Sequence, residues 1–313
     1  MSLGYVPERR VHVRAPGKIN VFFDVGEPGP DGYHEVVSVY QAVSLYEDVW
    51  ATAPDDDDDD VTISVTGDGV DVSGVPLDGR NLAVRAARLV LQAAGRQGGV
   101  HLEIRKGVPV AGGMGGGSAD AAAALVAVNE LVGAGLSSPE LHRLAAELGA
   151  DVPFAVMGGT AVGTGRGDEL TPALARGRFD WVLVTHDEGL STPVVYRELD
   201  RLRGAADIAP RHPVPQLDPV VLQALRAGEP RQLAAAVHND LQAAAVHLRP
   251  DLGELIAEGE RGGALTGMVS GSGPTVAFLC ADAESASSLR SRFSAAGRTA
   301  FHAHGPVPGT RVL

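Results

Sequence analysis

The sequence predicts an α+β fold in two domains. Runs of alternating apolar residues near the start predict strands, and capped amphipathic segments in the middle predict helices. The last part reads strand, tight turn, strand, helix and strand, an order that suits a split βαβ layer. Because 313 residues are enough for two modest domains, we expect one domain over residues 1–166 and a second over residues 167–313.

The first half opens with two predicted strands and a bend. Arg10 to Arg14 and Ile19 to Val25 read as strands, and the Pro-Gly pair at 16–17 bends the chain between them. Lys18 and Asn20 then lie beside the bend. A lysine in a turn is usually just solvated, so the pattern alone leaves both a solvated and a functional Lys18 open.

The next motif is Gly-Pro-Asp-Gly-Tyr-His at residues 29–34. It signals a turn that ends in an aromatic ring and an imidazole. Tyr33 and His34 have the chemistry to stack on a flat ring and to hydrogen-bond to its edge, while their default role is that of half-buried strand residues. Val36 to Trp50 reads as further sheet.

The charge pattern bears on the choice of partner. The formal net charge is −13, and Asp55 to Asp60 form one continuous acidic run. Consecutive aspartates repel one another and lack the alternate spacing of a calcium loop, so we expect a solvated loop rather than a cation site. An acidic chain with no basic patch is not expected to bind nucleic acid.

The cysteine content and the hydropathy indicate a compartment. Cys280 is the only cysteine, so no disulfide forms within the chain, and a buried structural thiol is expected in its apolar run, Thr275 to Cys280. The N-terminal residues carry no apolar signal region, and no run of about 18 apolar residues occurs. We expect a cytoplasmic protein that makes no membrane contact.

The most informative segment is Pro-Val-Ala-Gly-Gly-Met-Gly-Gly-Gly-Ser-Ala-Asp at residues 109–120, between a strand-like run and a helix-like run, Ala119 to Leu131. A glycine-rich backbone that opens onto a helix presents unpaired amides at the positive end of the helix dipole, which favours a phosphate. Ser118 suits the N-cap, and its hydroxyl could face a phosphate or a metal. A flexible turn is the alternative, although so many glycines lose considerable backbone entropy on ordering.

Two familiar phosphate motifs do not fit this segment. A P-loop requires a lysine, whereas the run ends in Gly117-Ser118-Ala119. A dinucleotide fingerprint that starts at Gly113 fails because Ser118 stands where its third glycine belongs. The sequence therefore indicates a third kind of phosphate loop.

Two capped helices flank this region, and a carboxylate follows them. Asn81 caps a helix that runs to Ala94, and Ser138 caps one that stops at Gly149. Asp151 comes next, in Ala-Asp-Val-Pro-Phe. It could cap another short helix or direct a carboxylate at a reacting hydroxyl, and the two roles are compatible.

The second half alternates helices and strands. Gly158 to Thr171 predicts a hairpin that packs closely on its surroundings, and Trp181 to Thr185 predicts a buried strand. Ser191-Thr192-Pro193 opens a helix that carries Tyr196. Residues 204–219 read as a surface loop. The remaining predicted elements are helices at 218–227, 230–246, 250–260 and 284–296, and strands at 267–270, 275–280 and 298–303, with a tight turn at 271–274.

Three separated motifs now line up across nearly the whole chain: Ala-Pro-Gly-Lys-Ile-Asn at 15–20, the glycine loop at 109–119, and Gly-Ser-Gly-Pro-Thr at 271–275. In this order and spacing they resemble the motifs of the GHMP kinase superfamily, which includes galactokinase, homoserine kinase and mevalonate kinase. The resemblance implies an S5-like N-terminal domain, a ferredoxin-like C-terminal domain and a cleft between them. It also implies ATP as cosubstrate, with Mg²⁺.

A finer resemblance comes from Asp-Gly-Tyr-His at 31–34, the doubled glycine loop at 112–118, Gly-x-Asp-Val-Pro-Phe at 149–154 and Asn-Asp-Leu at 239–241. These motifs are similar to those of one branch of the superfamily. Its members phosphorylate the 2-hydroxyl of 4-diphosphocytidyl-2-C-methyl-D-erythritol on the methylerythritol phosphate route to isoprenoid precursors. The acidic run departs from that branch's pattern. Met114 stands where many members have leucine, a change that conserves volume.

The resemblance assigns roles to residues. Lys18 and Asp151 would be catalytic and would also contact the acceptor, while Tyr33 and Tyr196 would sandwich its cytosine and His34 would read the edge of that base. Many members have phenylalanine where this chain has Tyr196. Further acceptor contacts fall on Asn20, Thr192, Gly271, Ser272 and Gly273. ATP would bind along Pro109, Val110, Ala111, Gly112, Gly113, Met114, Gly115, Gly116, Gly117, Ser118 and Ala119.

Phosphate oxygens and water, rather than protein ligands, are expected to hold most of the magnesium coordination. The expected partner is a small molecule with a cytidine diphosphate group, and the expected assembly is a monomer or weak homodimer. Two rival readings stay open. Another GHMP kinase would act on mevalonate or homoserine, and a non-catalytic module would only bind, since S5-like folds also occur in RNA-binding proteins. The joint presence of Lys18, Asp151 and Ser118 argues against the second.

Overall fold

The computed structural model describes residues 9–53, 60–110, 112–186, 189–205, 208 and 214–313. Most of the acidic run, residues 55–59, lies outside this part of the chain, as does Ala111. The first half contains an antiparallel pair of long strands followed by helices and a hairpin. Its elements are β1 (Arg10–Pro28), β2 (His34–Thr52), β3 (Val61–Gly67), α1 (Leu82–Ala93), β4 (Val100–Lys106), α2 (Gly116–Val132), α3 (Ser138–Leu148), α4 (Asp151–Met157), β5 (Thr160–Thr164) and β6 (Glu169–Pro172).

The second half contains a smaller sheet with helices packed on it. Its elements are β7 (Phe179–Val184), α5 (Thr192–Gly204), α6 (Pro219–Ala227), α7 (Pro230–Ala234), β8 (His238–Asn239), α8 (Leu241–Leu248), α9 (Pro250–Arg261), β9 (Thr266–Val269), β10 (Val276–Cys280), α10 (Ala283–Ala295), β11 (Ala300–Gly305) and β12 (Arg311–Val312). The predicted order of strand, turn, strand, helix and strand is confirmed by β9, β10, α10 and β11. The α+β prediction is therefore correct for both halves.

The predicted break in the first strand is wrong. The chain continues as one 19-residue strand, β1, through Pro16 and Gly17. A register shift between Pro16 and Gly17 absorbs the irregularity while pairing with β2 continues on both sides. Proline removes one donor from the ladder, and a bulge accommodates that loss without ending the strand.

The helix starts also differ in detail from their predictions. Ser137 rather than Ser138 caps α3, in a reciprocal capping box with Glu140. Gly115, in the left-handed conformation, occupies the N-cap of α2, and Ser118 lies in the first turn of that helix. Asp151 is the first residue of α4 and follows its N-cap, Ala150.

The predicted helix over 230–246 is interrupted. It is divided into α7 and α8, and between them His238 and Asn239 pair in parallel with Phe22 and Phe23 of β1. The Asn239 side chain donates to the carbonyls of Val269 and Gly271 and accepts from the Leu241 amide. These long-range bonds compete successfully with the helical pattern of the local sequence.

The two sheets share a core between them. The larger sheet has the order β12-β1-β2-β4-β3, with β5 and β8 paired to β2 and β1, and β6 paired to β5; the smaller has the order β11-β7-β10-β9. One cluster packs the larger sheet against α1 and α2. A second cluster joins residues of both sheets, including Phe22, Val39, Trp181 and Leu279. The Trp181 indole donates to the Gln41 side chain across this contact.

The boundary expected between residues 166 and 167 lies in the turn between β5 and β6, and both of these strands pair within the larger sheet. The division into 1–166 and 167–313 stays a prediction. None of the helices in the described part of the chain has the length and apolar character that crossing a bilayer would need.

Candidate active site

The glycine loop presents a helix start to a cavity. Helix α2 begins at Gly116, and the first amides of a helix have no partner inside it. Within the described ranges, the amides of Gly116, Gly117 and Ser118 donate to no protein acceptor. These amides therefore stay available for an anion at the positive end of the helix.

The cavity beside the loop has a volume of about 350 Å³. Most of the predicted ATP contacts line it, namely Pro109, Val110, Gly112, Gly113, Met114, Gly115, Gly116, Gly117 and Ser118; Ala119 is buried in the first turns of α2, and Ala111 lies outside the described residues. The start of α1, at Asn81 and Leu82, also lines the cavity, as do Val75 and Pro76. An apolar wall next to a row of amides suits a nucleotide, with its base on the wall and its phosphates on the amides.

The predicted catalytic pair is brought together. The Lys18 ammonium lies 3.5 Å from Asp151 Oδ2, and it donates to Asn20 Oδ1 at 2.9 Å. Asn20 in turn donates to the Ser38 hydroxyl at 2.8 Å. β1 supplies the lysine and the asparagine, and the first residue of α4 supplies the carboxylate. The Asp151 side chain is 31% exposed, so it is open to a bound molecule.

Gly115 joins this pair to the glycine loop. Its φ is +70°, a region that side chains rarely adopt, and a Cβ there would lie 3.2 Å from Lys18 Cγ and 3.9 Å from Asp151 Oδ2. The Lys18 amide also donates to the Met114 carbonyl at 3.0 Å. The phosphate loop, the lysine and the carboxylate therefore form one continuous surface.

The third motif closes the same surface. A Cβ on Gly271 would lie 3.3 Å from Asn20 Oδ1, and one on Gly113 would lie 3.1 Å from the Ser270 carbonyl. The hydroxyls of Thr192 and Ser272 are 2.8 Å apart, which ties the start of α5 to this turn. The turn as a whole, including Gly273, therefore lies against the glycine loop and the Asn20 side chain.

The predicted base-binding residues make two separate contacts, one between His34 and Tyr196 and one between Tyr33 and Arg166. The His34 and Tyr196 rings lie 5.0 Å apart at 44°, and Arg166 lies 3.9 Å from the Tyr33 ring. Among the described residues, no ring contact joins Tyr33 to Tyr196. The Asp31 carboxylate forms an ion pair with the Arg166 guanidinium at 3.0 Å. One face of Tyr33 is thus covered, although the residue remains 59% exposed.

A cavity of about 550 Å³ adjoins the base-binding residues and is lined by Tyr33, His34, Arg166 and Asp168. His34 Nε2 contacts Asp200 Oδ1 at 2.7 Å, and the His34 side chain is only 6% exposed. Burial raises the pKa of the Tyr196 phenol, so that group stays neutral.

A buried charge cluster lies directly behind the glycine loop. Lys106 donates to Glu47 at 2.8 Å and to Asp120 at 2.6 Å, and all three side chains are nearly inaccessible to solvent. Burial raises the pKa of both carboxyl groups, and the neighbouring Asp120 raises that of Glu47 further. Burial alone would lower the pKa of Lys106, but the two carboxylates raise it. Two acids and one base thus anchor the end of β4 to the first turns of α2.

Several of these residues were not identified from the sequence. Asn239 was part of a quoted motif but had no assigned role, although it holds the Gly271 turn through two hydrogen bonds. Asp200 follows Tyr196 at helical spacing, a signal that could have placed both on one face of α5. The partners of Lys106 come from distant segments, and no local pattern indicates them.

Comparisons with known proteins agree with this architecture. Residues 81–159 match the family model of the GHMP kinases N-terminal domain, and residues 221–299 match that of the GHMP kinases C-terminal domain. The solved structure of a homoserine kinase from Cytophaga hutchinsonii, 19% identical, has the same fold, with a TM-score of 0.72 over 98% of each chain. Fold and site together define a GHMP kinase.

Relatives with higher sequence identity indicate which GHMP kinase family the chain belongs to. A 4-diphosphocytidyl-2-C-methyl-D-erythritol kinase from Clavibacter michiganensis subsp. michiganensis is 58% identical, covering 97% of this chain and 96% of that one; the protein of the same name from Leifsonia xyli subsp. xyli is 57% identical, covering 97% and 98%. A crystal structure of a 4-(cytidine 5'-diphospho)-2C-methyl-D-erythritol kinase is 30% identical, with a TM-score of 0.74 over 94% of this chain and 98% of that one. The chain belongs to the family of 4-diphosphocytidyl-2-C-methyl-D-erythritol kinases.

Proposed function

We propose that this protein transfers the γ-phosphoryl group of ATP to the 2-hydroxyl of 4-diphosphocytidyl-2-C-methyl-D-erythritol, giving ADP and the 2-phosphate. The supporting observation is the Lys18–Asp151 pair, with its 3.5 Å contact beside the glycine loop. A base and a cation next to a row of open amides are the components that phosphoryl transfer needs. The identity of the acceptor is inferred from the family to which the chain belongs.

The mechanism assigns one task to each group. Asp151 accepts the proton of the acceptor's 2-hydroxyl. The 2-oxygen of the acceptor forms a new bond to the γ-phosphorus, and the bond between that phosphorus and the bridging oxygen breaks, which releases ADP. Lys18 places a positive charge beside the transferring group, and Asn20 holds the ammonium in position at 2.9 Å. Such a base contributes about 10²–10⁴-fold in rate.

The glycine loop binds the α- and β-phosphates through its amides, with the Ser118 hydroxyl in the first turn of α2. Oxygen donors suit Mg²⁺, and the Ser118 hydroxyl would be the protein ligand beside phosphate oxygens and water. The ion supplies neutralisation of charge on the phosphate oxygens. Asp120 lies close behind, where its Oδ2 accepts from Lys106 at 2.6 Å and its Oδ1 has no hydrogen-bond partner among the described residues.

The acceptor lies across the pair from ATP. Its cytosine stacks on the free face of Tyr33, whose other face carries Arg166, and it meets the edge of His34. Tyr196, which packs on His34, is the second ring predicted to flank the base. Thr192, Ser272 and the adjoining glycines lie near the erythritol and diphosphate portions. A volume of about 550 Å³ beside Tyr33 and His34 leaves room for this base.

A coupled assay for ADP tests the proposal. Purified protein is incubated with ATP, Mg²⁺ and, in separate reactions, the cytidylyl acceptor, mevalonate and homoserine. ADP should form with the cytidylyl acceptor alone, and phosphorus NMR should show a new phosphomonoester on its 2-oxygen. Turnover of mevalonate or homoserine would assign a different acceptor. Nucleotide binding without ADP formation from any of them would indicate a binding module instead.

The cellular setting is part of the proposal. A cytoplasmic location fits a single cysteine that is fully buried. We also propose that the protein is a monomer or weak homodimer. Light scattering across a range of protein concentrations distinguishes these from a tight oligomer.

A further inference from the structure

We propose that Asp200 fixes the tautomer of His34 and so makes the acceptor site select cytosine over uracil. The inference rests on the proposed function, in which His34 meets the edge of the base. Asp200 does not touch the base in this arrangement. It acts through His34, as a positioning residue.

Helix α5 holds the His34 ring from two directions. Tyr196 and Asp200 lie four residues apart, so they share one face of the helix. The Tyr196 ring packs 5.0 Å from the His34 ring, and Asp200 Oδ1 lies 2.7 Å from its Nε2. With 6% of its side chain exposed, His34 has little room to turn away from these contacts.

The carboxylate determines which nitrogen carries the proton. An ionised carboxyl group only accepts, so a 2.7 Å contact requires the hydrogen on Nε2. In a neutral imidazole the other nitrogen, Nδ1, is then an acceptor. Without Asp200 the hydrogen could lie on either nitrogen, and the ring would offer a donor or an acceptor.

Cytosine and uracil differ at the position that this nitrogen would meet. Cytosine carries an exocyclic amino group, a donor, where uracil carries a carbonyl oxygen, an acceptor. An Nδ1 acceptor can receive a hydrogen bond from the amino group of cytosine. Against uracil the same nitrogen would face a carbonyl oxygen, and the two lone pairs would repel each other. A site built around one hydrogen bond discriminates strongly against an analogue that lacks its partner.

A purely structural role for Asp200 is poorly supported by its surroundings. The helix is anchored by Val195, Leu199 and Leu202, which are buried. Asp200 itself is 35% exposed and makes its contact to a ring rather than to the backbone. Replacement of this carboxylate should therefore leave α5 in place while changing what His34 presents to a ligand.

The test compares cytidine 5'-diphosphate with uridine 5'-diphosphate by calorimetry at pH 8 for the wild type, Asp200→Asn and a control, Glu198→Gln. Glu198 lies on the same helix and pairs with Arg201. An asparagine amide can donate or accept, so both tautomers become available. The preference for the cytidine ligand should fall about tenfold in Asp200→Asn and stay unchanged in Glu198→Gln, with equal affinity for a non-hydrolysable ATP analogue in all three.

Nitrogen-15 NMR of the His34 ring, assigned with His34→Ala, provides a readout in the wild type itself. The hydrogen should be found on Nε2 there and on both nitrogens in Asp200→Asn. A wild-type ring protonated at Nδ1, or an Asp200→Asn variant with full cytidine preference, overturns the tautomer inference and leaves the proposed function standing. A wild type that binds both diphosphates equally overturns the cytosine subsite, and the inference with it.

Discussion

The Lys18 ammonium lies 3.5 Å from the Asp151 carboxylate, and the backbone of Gly115 passes directly beside both side chains. The lysine comes from the middle of a long strand and the carboxylate from the first residue of a short helix. Neither element is adjacent to the glycine loop along the sequence. Their meeting point is therefore a product of the fold.

Asp151→Asn should reduce turnover by at least ~100-fold, because the amide cannot accept the hydroxyl proton. Affinity for a non-hydrolysable ATP analogue should stay within about twofold of the wild-type value, since the phosphates bind the loop amides. Steady-state kinetics and calorimetry measure the two quantities. Glu147→Gln, an exposed change near the end of α3, serves as the control. Near-normal turnover in Asp151→Asn would remove this carboxylate from the mechanism.

Gly115→Ala tests the close approach of the loop to the catalytic pair. Its Cβ would meet Lys18 at 3.2 Å, in addition to a backbone cost of about 1–2 kcal/mol at positive φ. Gly135→Ala is a matched control, because Gly135 has φ +68° and open space around it. Both variants should lose stability in denaturant, Gly115→Ala more than Gly135→Ala because of the added contact, but only Gly115→Ala should lose activity. Equal activity in the two would show that the contact with Lys18 does not matter.

Tyr33→Ala should weaken binding of the cytidylyl acceptor by about tenfold or more, a typical effect of losing a base-stacking ring. ATP affinity should not change, since Tyr33 lies away from the glycine loop. Tyr33→Phe keeps the ring and should keep the affinity. Calorimetric titrations with each ligand separate the effects. Equal losses for ATP and acceptor would contradict the stacking role.

Lys106→Met should destabilise the fold by about 3–5 kcal/mol, because it leaves Glu47 and Asp120 buried without their cation. Asp120→Asn should cost less than about 1 kcal/mol, since the amide oxygen still accepts from Lys106 and one buried negative charge is removed. The raised pKa values of both carboxyl groups indicate that this cluster disfavours negative charge. Urea unfolding measures both variants, and equal losses would refute this account of the cluster.

Asp48 should make stability depend on pH. Burial alone would raise its pKa, but hydrogen bonds from Arg14, Arg105 and His12 hold the pKa at about 2. Because this value lies below that of an unfolded aspartate, the stabilisation is present above about pH 4 and is lost as the pH falls towards 2. Asp48→Asn should cost about 2 kcal/mol at pH 7.

Urea titrations of Asp48→Asn at pH 7, 5 and 3 check this expectation. The difference from the wild type should shrink at pH 3, where the unfolded aspartate is largely protonated and part of the stabilisation by ionised Asp48 is lost. Glu103→Gln, which breaks the exposed pair with Arg10, is the control and should have little effect at any pH. A constant difference for Asp48→Asn at all three values would show that the ionised form is not what stabilises the fold.

Much of the fold could be predicted because its signals are local. Caps, periodic apolar residues and glycine-rich turns identified α1, α3, α5, α10 and the β5–β6 hairpin to within a few residues. The family resemblance, carried by three short motifs, is confirmed by relatives similar over nearly the whole chain. The predicted helix starts differ from the structure by one residue at α3, where Ser137 rather than Ser138 is the cap, and by three residues at α2, where Gly115 rather than Ser118 is the cap.

The errors arose where distant segments decide the outcome. Residues 230–246 have a helical pattern, yet Asn239 bonds to the carbonyls of Val269 and Gly271 and breaks the helix. The partners of Lys106 and of His34 are likewise contributed by other elements. No periodicity encodes such pairs, because they form only when the sheets and helices have assembled.

The outer edge of β1 has a practical consequence for dissecting this protein. One edge of that strand pairs with β2, while the other pairs with β12 at Val13 and Arg14 and with β8 at Phe22 and Phe23. A gene cut after codon 166 would yield a piece with this long edge bare and with β5 separated from β6, a template for aggregation. Expression of the two halves together, rather than one after the other, is therefore the way to obtain a split version that reassembles.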